Sequence, residues 1–192
     1  MTIMNRNIED YVKVYEDFLD KDFCNQTIEK LEDAEWAMHQ FYQAGTGDYV
    51  SYENELSVSW SNIPERQIIQ DKMWNIIDRY IRQDHAHCTE WWNGWNGYSS
   101  VRFNKYDEST QMKIHCDHIH SMFDGQMKGI PTLSILGVLN DDYEGGDFVM
   151  WQDTVMRFPQ GSIVVFPSNF MYPHRVDPVT KGVRYSYVSW VW

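Results

Sequence analysis

The chain predicts a mainly β fold with flanking helices, an α+β arrangement in which helical segments come first and strands follow. Three observations carry that reading. From Tyr98 onward, short strand-like runs rich in β-branched and aromatic residues are broken by Gly, Pro and Asp turns. Before that point, two segments space their apolar residues at helical intervals instead. No Pro/Gly/Ser-rich linker divides the 192 residues, and a hydrophobic content of 43% suffices for one substantial core, so a single domain over 1–192 is the economical reading.

Taken in order, Tyr11 to Tyr15 alternates like a strand. Asp20 can cap a helix whose apolar side carries Phe23, Ile28 and Leu31. A second helix is clearer: Asn62 suits the N-cap, Pro64 lies in the first turn and Glu65 supplies the reciprocal capping carboxylate. Ile68, Ile69, Met73, Ile76, Ile77 and Tyr80 form its apolar stripe. The strand-like runs then cover 98–106, 112–117, 130–140, 147–152, 154–158, 162–166, 171–176 and 183–191. Both helices should buttress one sheet. No internal repeat or low-complexity segment is evident.

The chemistry concentrates in the strands. In His115-Cys116-Asp117, side chains alternate faces, so His115 and Asp117 project together while Cys116 faces the other way. A third ligand, His174, from a distant strand would complete a two-histidine, one-carboxylate face with open positions opposite, which suits non-haem Fe(II) handling oxygen. Arg184 follows His174 across a Pro/Gly turn, which puts ligand and cation on neighbouring strands. Neither fragment is specific alone; their conjunction, in strand context and in this chain order, is what counts. The alternative is a metal-free, hydrogen-bonded cluster, but burying an arginine and an aspartate together is costly unless both are fully paired.

Roughly from Tyr98 to Trp192 the chain resembles the iron(II)- and 2-oxoglutarate-dependent dioxygenases, specifically their prolyl 4-hydroxylase branch. The likeness runs through Val101-Arg102-Phe103-Asn104-Lys105-Tyr106, His115-Cys116-Asp117, Leu139-Asn140-Asp141-Asp142-Tyr143-Glu144-Gly145-Gly146-Asp147-Phe148, Phe158-Pro159-Gln160-Gly161-Ser162 and Phe166-Pro167-Ser168-Asn169. It implies a double-stranded β-helix, a jelly-roll or cupin-like barrel over 98–192, with 1–97 as a mixed helix and strand support. It further implies that His115, Asp117 and His174 bind Fe(II) as the catalytic centre. By the same likeness Arg184 holds the distal carboxylate of 2-oxoglutarate and Tyr106 helps to hold that cosubstrate. Ser186, two after Arg184 on one strand face, is in reach of the same carboxylate. Many members of the branch carry lysine at the basic position; a guanidinium still makes a fork-to-carboxylate contact there. Trp190 matches a family tryptophan.

The implied reaction consumes O2 and 2-oxoglutarate, releases succinate and CO2, and hydroxylates an unactivated C–H bond, with ascorbate as a reductant. The implied substrate is a prolyl residue in a Pro-containing peptide or protein lying across the barrel mouth. The 118–130 loop would form one wall, with Gly125 and Gly129 suiting a mobile lid. The same scaffold hosts many targets, so free amino acids, other small molecules and a noncatalytic cupin-like metal-binding module stay open.

Composition sets the outer limits. A net charge of −12 opposes general attraction to phosphate backbones and makes nucleic acid a disfavoured partner. The N-terminus lacks the apolar run of a secretory signal and no segment suits a bilayer, which reads as soluble and cytoplasmic. Cys24, Cys88 and Cys116 form no disulfide framework, in keeping with a reducing compartment. His118 and His120 read as loop or substrate contacts, His85 and His87 as surface imidazoles past a helix end, and the aromatic segment 91–98 as packing.

Overall fold

A computed structural model describes residues 6–43, 46–91, 97–117 and 130–192. Most of the aromatic segment 91–98, and residues 118–129 of the 118–130 loop with His118, His120, Gly125 and Gly129, fall outside them. In chain order the strands are β1 (Lys13–Tyr15), β2 (Ala37–Met38), β3 (Phe41–Gln43), β4 (Asp48–Val50), β5 (Ser57–Ser59), β6 (Arg102–Tyr106), β7 (Met112–His115), β8 (Leu133–Val138), β9 (Glu144–Gly145), β10 (Phe148–Met150), β11 (Thr154–Met156), β12 (Ile163–Pro167), β13 (His174–Val176), β14 (Val179–Lys181) and β15 (Arg184–Val191). The helices are α1 (Lys21–Leu31) and α2 (Pro64–Arg79). A seven-stranded sheet, ordered β1-β12-β8-β15-β6-β5-β2, faces a four-stranded one, ordered β11-β10-β13-β7. This is a double-stranded β-helix.

Alternation along the major sheet builds two cores at once. Leu133, Ile135, Ile163, Val165 and Tyr187 share a cluster with Leu31 of α1 and with Ile69, Met73 and Ile77 of α2. Leu136, Val164, Phe166 and Tyr106 point the other way and pack on Met112, Phe148, Met150 and Val176 of the minor sheet. All six residues of β8 are therefore buried. Burying each such large apolar side chain contributes roughly 1.5–3 kcal/mol. The helices do buttress one sheet, and the other face of that sheet closes the barrel.

Local signals explain most element boundaries. Asp20 caps α1, its carboxylate accepting the Phe23 backbone N–H at 2.8 Å. For α2 the N-cap is Ile63, not Asn62, with Pro64 as first helical residue. The Asn62 side-chain oxygen instead accepts from Arg66 at 2.8 Å, so no capping box forms, and one Glu65 carboxylate oxygen is buried without a partner. Ile68, expected on the apolar stripe, is exposed. The N-terminal strand is shorter than the alternation suggested, because Ile8–Tyr11 forms a 3-10 turn and only Lys13–Tyr15 pairs, with β12. His85 is not a surface imidazole: it is buried between Tyr11, ring centroids 5.0 Å apart, and Tyr80, 4.5 Å apart.

One glycine is required by close approach. Gly137 on β8 lies opposite Tyr187 on β15, and a methyl group on its Cα would overlap the buried Tyr187 ring. Gly137→Ala is expected to destabilise the chain by about 1–3 kcal/mol through overpacking, read as a lowered urea midpoint. An unchanged midpoint would mean that the tyrosine ring is not seated over β8.

Candidate active site

The minor sheet positions two of the three expected metal ligands by register. His174 begins β13 and lies directly across from His115 at the end of β7. Their rings are 4.4 Å apart between centroids. Asp117 lies two residues beyond the end of β7, yet its Oδ1 is 3.3 Å from His115 Nε2 and 3.7 Å from His174 Nε2. Ligand atoms from the three residues all lie within 4.8 Å of one another. Cis ligands bound at about 2.1 Å sit ~3 Å apart, so small side-chain adjustments would bring this set onto one ion.

The hydrogen bonds around these ligands suit a metal. His115 Nδ1 contacts the Lys113 carbonyl at 2.8 Å and His174 Nδ1 contacts the Tyr172 carbonyl at 3.1 Å. A carbonyl accepts only, so each Nδ1 carries the proton and each Nε2 presents a lone pair towards Asp117. The Ser134 hydroxyl donates to Asp117 Oδ2, and it is shared with Ser168 at 2.7 Å. Burial opposes ionisation of Asp117, whereas positive charge at the His174 and His115 ring nitrogens and the Ser134 hydrogen bond favour it, and with that charge in place the carboxyl is held well below the usual carboxylate range. Burial pushes His174 down to about 4, so its ring is neutral at neutral pH, as a ligand must be. Phe148 and Phe166 wall this imidazole, with ring centroids 5.4 Å and 5.1 Å away.

Arg184 stands on the facing sheet. His174 and Arg184 were expected on neighbouring strands, but β13 pairs with β10 and β7, whereas β15 pairs with β6 and β8. The chain crosses between sheets by way of β14, which pairs with β9. Arg184 is 1% exposed, its Nη1 donates to Ser186 Oγ at 3.1 Å, and its Nε has no partner. It lies opposite Tyr106 in register, guanidinium 4.8 Å from the phenol ring centroid, with Tyr143 at 6.0 Å. Gly146 has φ +61°, and a Cβ there would stand 3.2 Å from Arg184 Cδ. Among the described residues no carboxylate lies within 4.0 Å of this guanidinium. A buried, unpaired cation is costly, and a guest carboxylate would offset that cost.

A family model described as 2OG-Fe(II) oxygenase superfamily matches residues 101–192, the stretch that holds every residue of this site. That stretch is similar to the 2OG-Fe(II) oxygenase superfamily. The chain is 34% identical over 94 residues to a PKHD-type hydroxylase of Idiomarina loihiensis, covering 47% of this chain and 41% of that protein. It is 36% identical over 98 residues to a PKHD-type hydroxylase of Aliarcobacter butzleri, covering 47% and 41%. The match thus spans about two fifths of the length of these curated relatives. Among solved structures, the viral collagen prolyl hydroxylase of Paramecium bursaria Chlorella virus-1 superposes with a TM-score of 0.65 at 16% identity, over 94% of each chain. A Trichoplax adhaerens prolyl hydroxylase, solved with a hypoxia inducible factor peptide, gives 0.68 at 16% identity over 95% of this chain and 84% of its own. A Pseudomonas putida prolyl-4-hydroxylase gives 0.62 at 18% over 94% and 91%. These likenesses establish the fold.

The six residues singled out in the sequence divide between two sheets. His115, Asp117 and His174 gather at the minor sheet, and Arg184, Ser186 and Tyr106 form one group on the major sheet. Ser186 touches the arginine directly. Cys116 points away from the centre, its Sγ 3.6 Å from the Phe170 carbonyl. Two contributors were not singled out in the sequence. Ser134 looked like a lone polar residue in an apolar strand, and Arg102 shares the face of Tyr106 at the i, i+4 spacing that strand alternation would have revealed.

Several imidazoles are held neutral by burial, His39 pushed down to about 3 and His85 and His174 to about 4, from ordinary values near 6.5. Because the unfolded chain then takes up protons before the folded one, stability is full above about pH 6.5 and drains as pH falls towards about 4. The metal-free chain is expected to show a thermal midpoint that drops most steeply across that window. A midpoint flat through it would mean that these rings accept protons while folded.

Proposed function

We propose that this chain is an Fe(II)- and 2-oxoglutarate-dependent dioxygenase that hydroxylates an unactivated C–H bond, with a prolyl residue in a peptide or protein as substrate. The observation that carries the reading is one juxtaposition: a two-histidine, one-carboxylate cluster on the minor sheet, and on the facing sheet a buried arginine with no counter-ion among the described residues. The donor set fits ferrous iron, and the unpaired guanidinium fits the far carboxylate of a keto-diacid. His115, Asp117 and His174 would hold the iron, while Arg184, fixed by Ser186 and flanked by Tyr106, would hold 2-oxoglutarate.

Bound together with O2, iron and 2-oxoglutarate supply the oxidising power for C–H hydroxylation, with release of succinate and CO2. The protein's own contribution is geometric and electrostatic. The backbone carbonyls of Lys113 and Tyr172 fix both histidine tautomers, and Ser134 fixes the Asp117 carboxylate. Arg184 orients the cosubstrate through its far end. Burial raises the Tyr106 pKa, against the lowering effect of Arg184 and Arg102, so the phenol stays protonated and able to donate. Phe148 and Phe166 keep water from the His174 side of the centre.

The prolyl assignment draws on the neighbours' kind: the three solved relatives above are prolyl hydroxylases, one with a bound peptide. Three free cysteines accord with action in a reducing, cytoplasmic setting. No helix among the described residues is long and apolar enough to cross a membrane.

Asp117→Ala and His174→Ala are each expected to abolish succinate formation, while Arg184→Ala raises the KM for 2-oxoglutarate by about tenfold or more, as loss of a charged hydrogen-bonded pair does. The assay is anaerobic loading with Fe(II) and 2-oxoglutarate, then oxygen, with succinate measured and Pro-containing peptides screened for a +16 Da product. Full activity in the Asp117 variant would refute the ligand assignment. A noncatalytic cupin-like module would bind metal and release no succinate, and a free amino acid as substrate would leave every peptide unmodified.

A further inference from the structure

A second arginine enters the space around the metal cluster, and nothing in the reading above uses it. Arg102 on β6 lines the same cavity as His115, Asp117 and His174, together with Asn104, Ser134 and Trp190. Two contacts hold it in place. Its Nε donates to Asn104 Oδ1 at 3.1 Å, and its guanidinium lies 5.1 Å from the Trp190 ring centroid. Both terminal nitrogens lack hydrogen-bond partners among the described residues, and neither is sealed from solvent. Among the described residues no carboxylate approaches within 4.0 Å: Asp117 turns Oδ1 to the imidazoles and Oδ2 to Ser134. A planar fork is thus fixed at its root by one amide and one aromatic face, while its two-pronged end is left unfilled. That end matches a carboxylate.

Register separates this fork from Arg184. Along the paired strands Arg184 faces Tyr106, Ser186 faces Asn104 and Val188 faces Arg102. Four residues of strand place the two arginine rows ~13 Å apart. Ser134, which holds Asp117, lies across from Trp190, beyond the Arg102 row. Arg184 therefore lies at the Tyr106 end of the strand pair, remote from Trp190, where it lines a neighbouring cavity, and Arg102 lies in the cavity of the metal ligands. A cosubstrate anchored by Arg184 leaves Arg102 to a different molecule.

We infer that Arg102 is a substrate-side carboxylate receptor: it pairs with a carboxylate carried by the molecule being oxidised, so the substrates of this chain bear a carboxylate close to the carbon that is hydroxylated. This rests on the oxygenase reading and narrows it. The carboxylate belongs either to a free amino acid or to an acidic residue beside the target in a peptide, and the test separates these sources.

Two matched pairs of probes serve: L-proline against L-prolinamide, and a Pro-containing peptide with glutamate against the same peptide with glutamine beside the proline. Binding to the Fe(II)- and 2-oxoglutarate-loaded protein is measured by calorimetry without oxygen, and hydroxylation is then followed by mass spectrometry after oxygen is admitted. The carboxylate member of at least one pair is expected to bind about tenfold or more tightly than its amide. Arg102→Gln should erase that preference, and Arg102→Lys should restore part of it, since lysine keeps the charge without the fork. The KM for 2-oxoglutarate, by contrast, should move by less than about twofold, unlike the effect expected of Arg184→Ala. Circular dichroism melts check that each variant is folded.

Equal binding of acid and amide by the native chain overturns the inference, as does a preference that survives in Arg102→Gln. A large rise in the 2-oxoglutarate KM in that variant also overturns it, because Arg102 would then serve the cosubstrate. If no succinate forms from any probe but the Arg102-dependent preference persists, the oxygenase reading fails and the carboxylate site stands.

Discussion

The pairing of β13 with β7 is the constraint on which the site depends. It sets His174 opposite His115, so two imidazoles from segments 59 residues apart in sequence become cross-strand neighbours. Such pairs bring Cβ atoms within about 4.5–5.5 Å, close enough for two rings to share one ion. A slip of one residue would turn one ring to the opposite face and dissolve the cluster. The register shifts by a bulge between this pair and the next, Met112 opposite Val176, both of which are buried in the core between the sheets and anchor the two strands to each other. The barrel core therefore fixes the ligand geometry before any metal arrives.

The second constraint is the location of charge. Arg184 is 1% exposed and contacts a serine hydroxyl and two phenol rings; Asp141, Glu144 and Asp147 line the same cavity, but among the described residues no carboxylate comes within 4.0 Å of it. Aromatic faces and one hydroxyl recover only part of the solvation that a guanidinium loses. Among the described residues this guanidinium thus lacks a counter-ion, and the proposed reading seats a dianionic guest there. Closing the pair in a low-dielectric setting strengthens it, and the hydrogen bond to Ser186 reduces the reorganisation required on binding.

Much of this was legible in the chain. Each of the eight strand-like runs after Tyr98 contains a strand, because short alternating runs between Gly, Pro and Asp turns report half-buried surface directly. His115, Asp117, His174 and Arg184 could be named because their chemistry is conspicuous and their chain order ordered. The layer assignment of Arg184 was not legible: a Pro/Gly turn suggests a hairpin, but the intervening β14 pairs with β9 and lets the chain cross between sheets. The short strands β2 to β5 also escaped notice, since two- and three-residue strands carry too few alternations to register. The Asn62 cap failed for a local reason. Arg66 claimed its side-chain oxygen, and the backbone entered the helix one residue later.

Arg102 and Ser134 were missed for a shared reason: neither belongs to a motif, and each is defined by which face it takes. That same fact explains how the site can be divided. The proposed iron ligands lie on the minor sheet and just beyond β7, whereas the arginines proposed to read carboxylates lie on the major sheet, in rows set by β6 and β15. A change at one row of the major sheet alters what the cavity recognises without touching the strands that carry the imidazoles. Exchanging Arg102 for a neutral side chain would remove a counter-charge but leave the β7–β13 pairing and the Lys113 and Tyr172 carbonyl contacts in place. Substrate preference and metal binding are therefore separable here because the two sheets of one barrel carry them apart, with the core between.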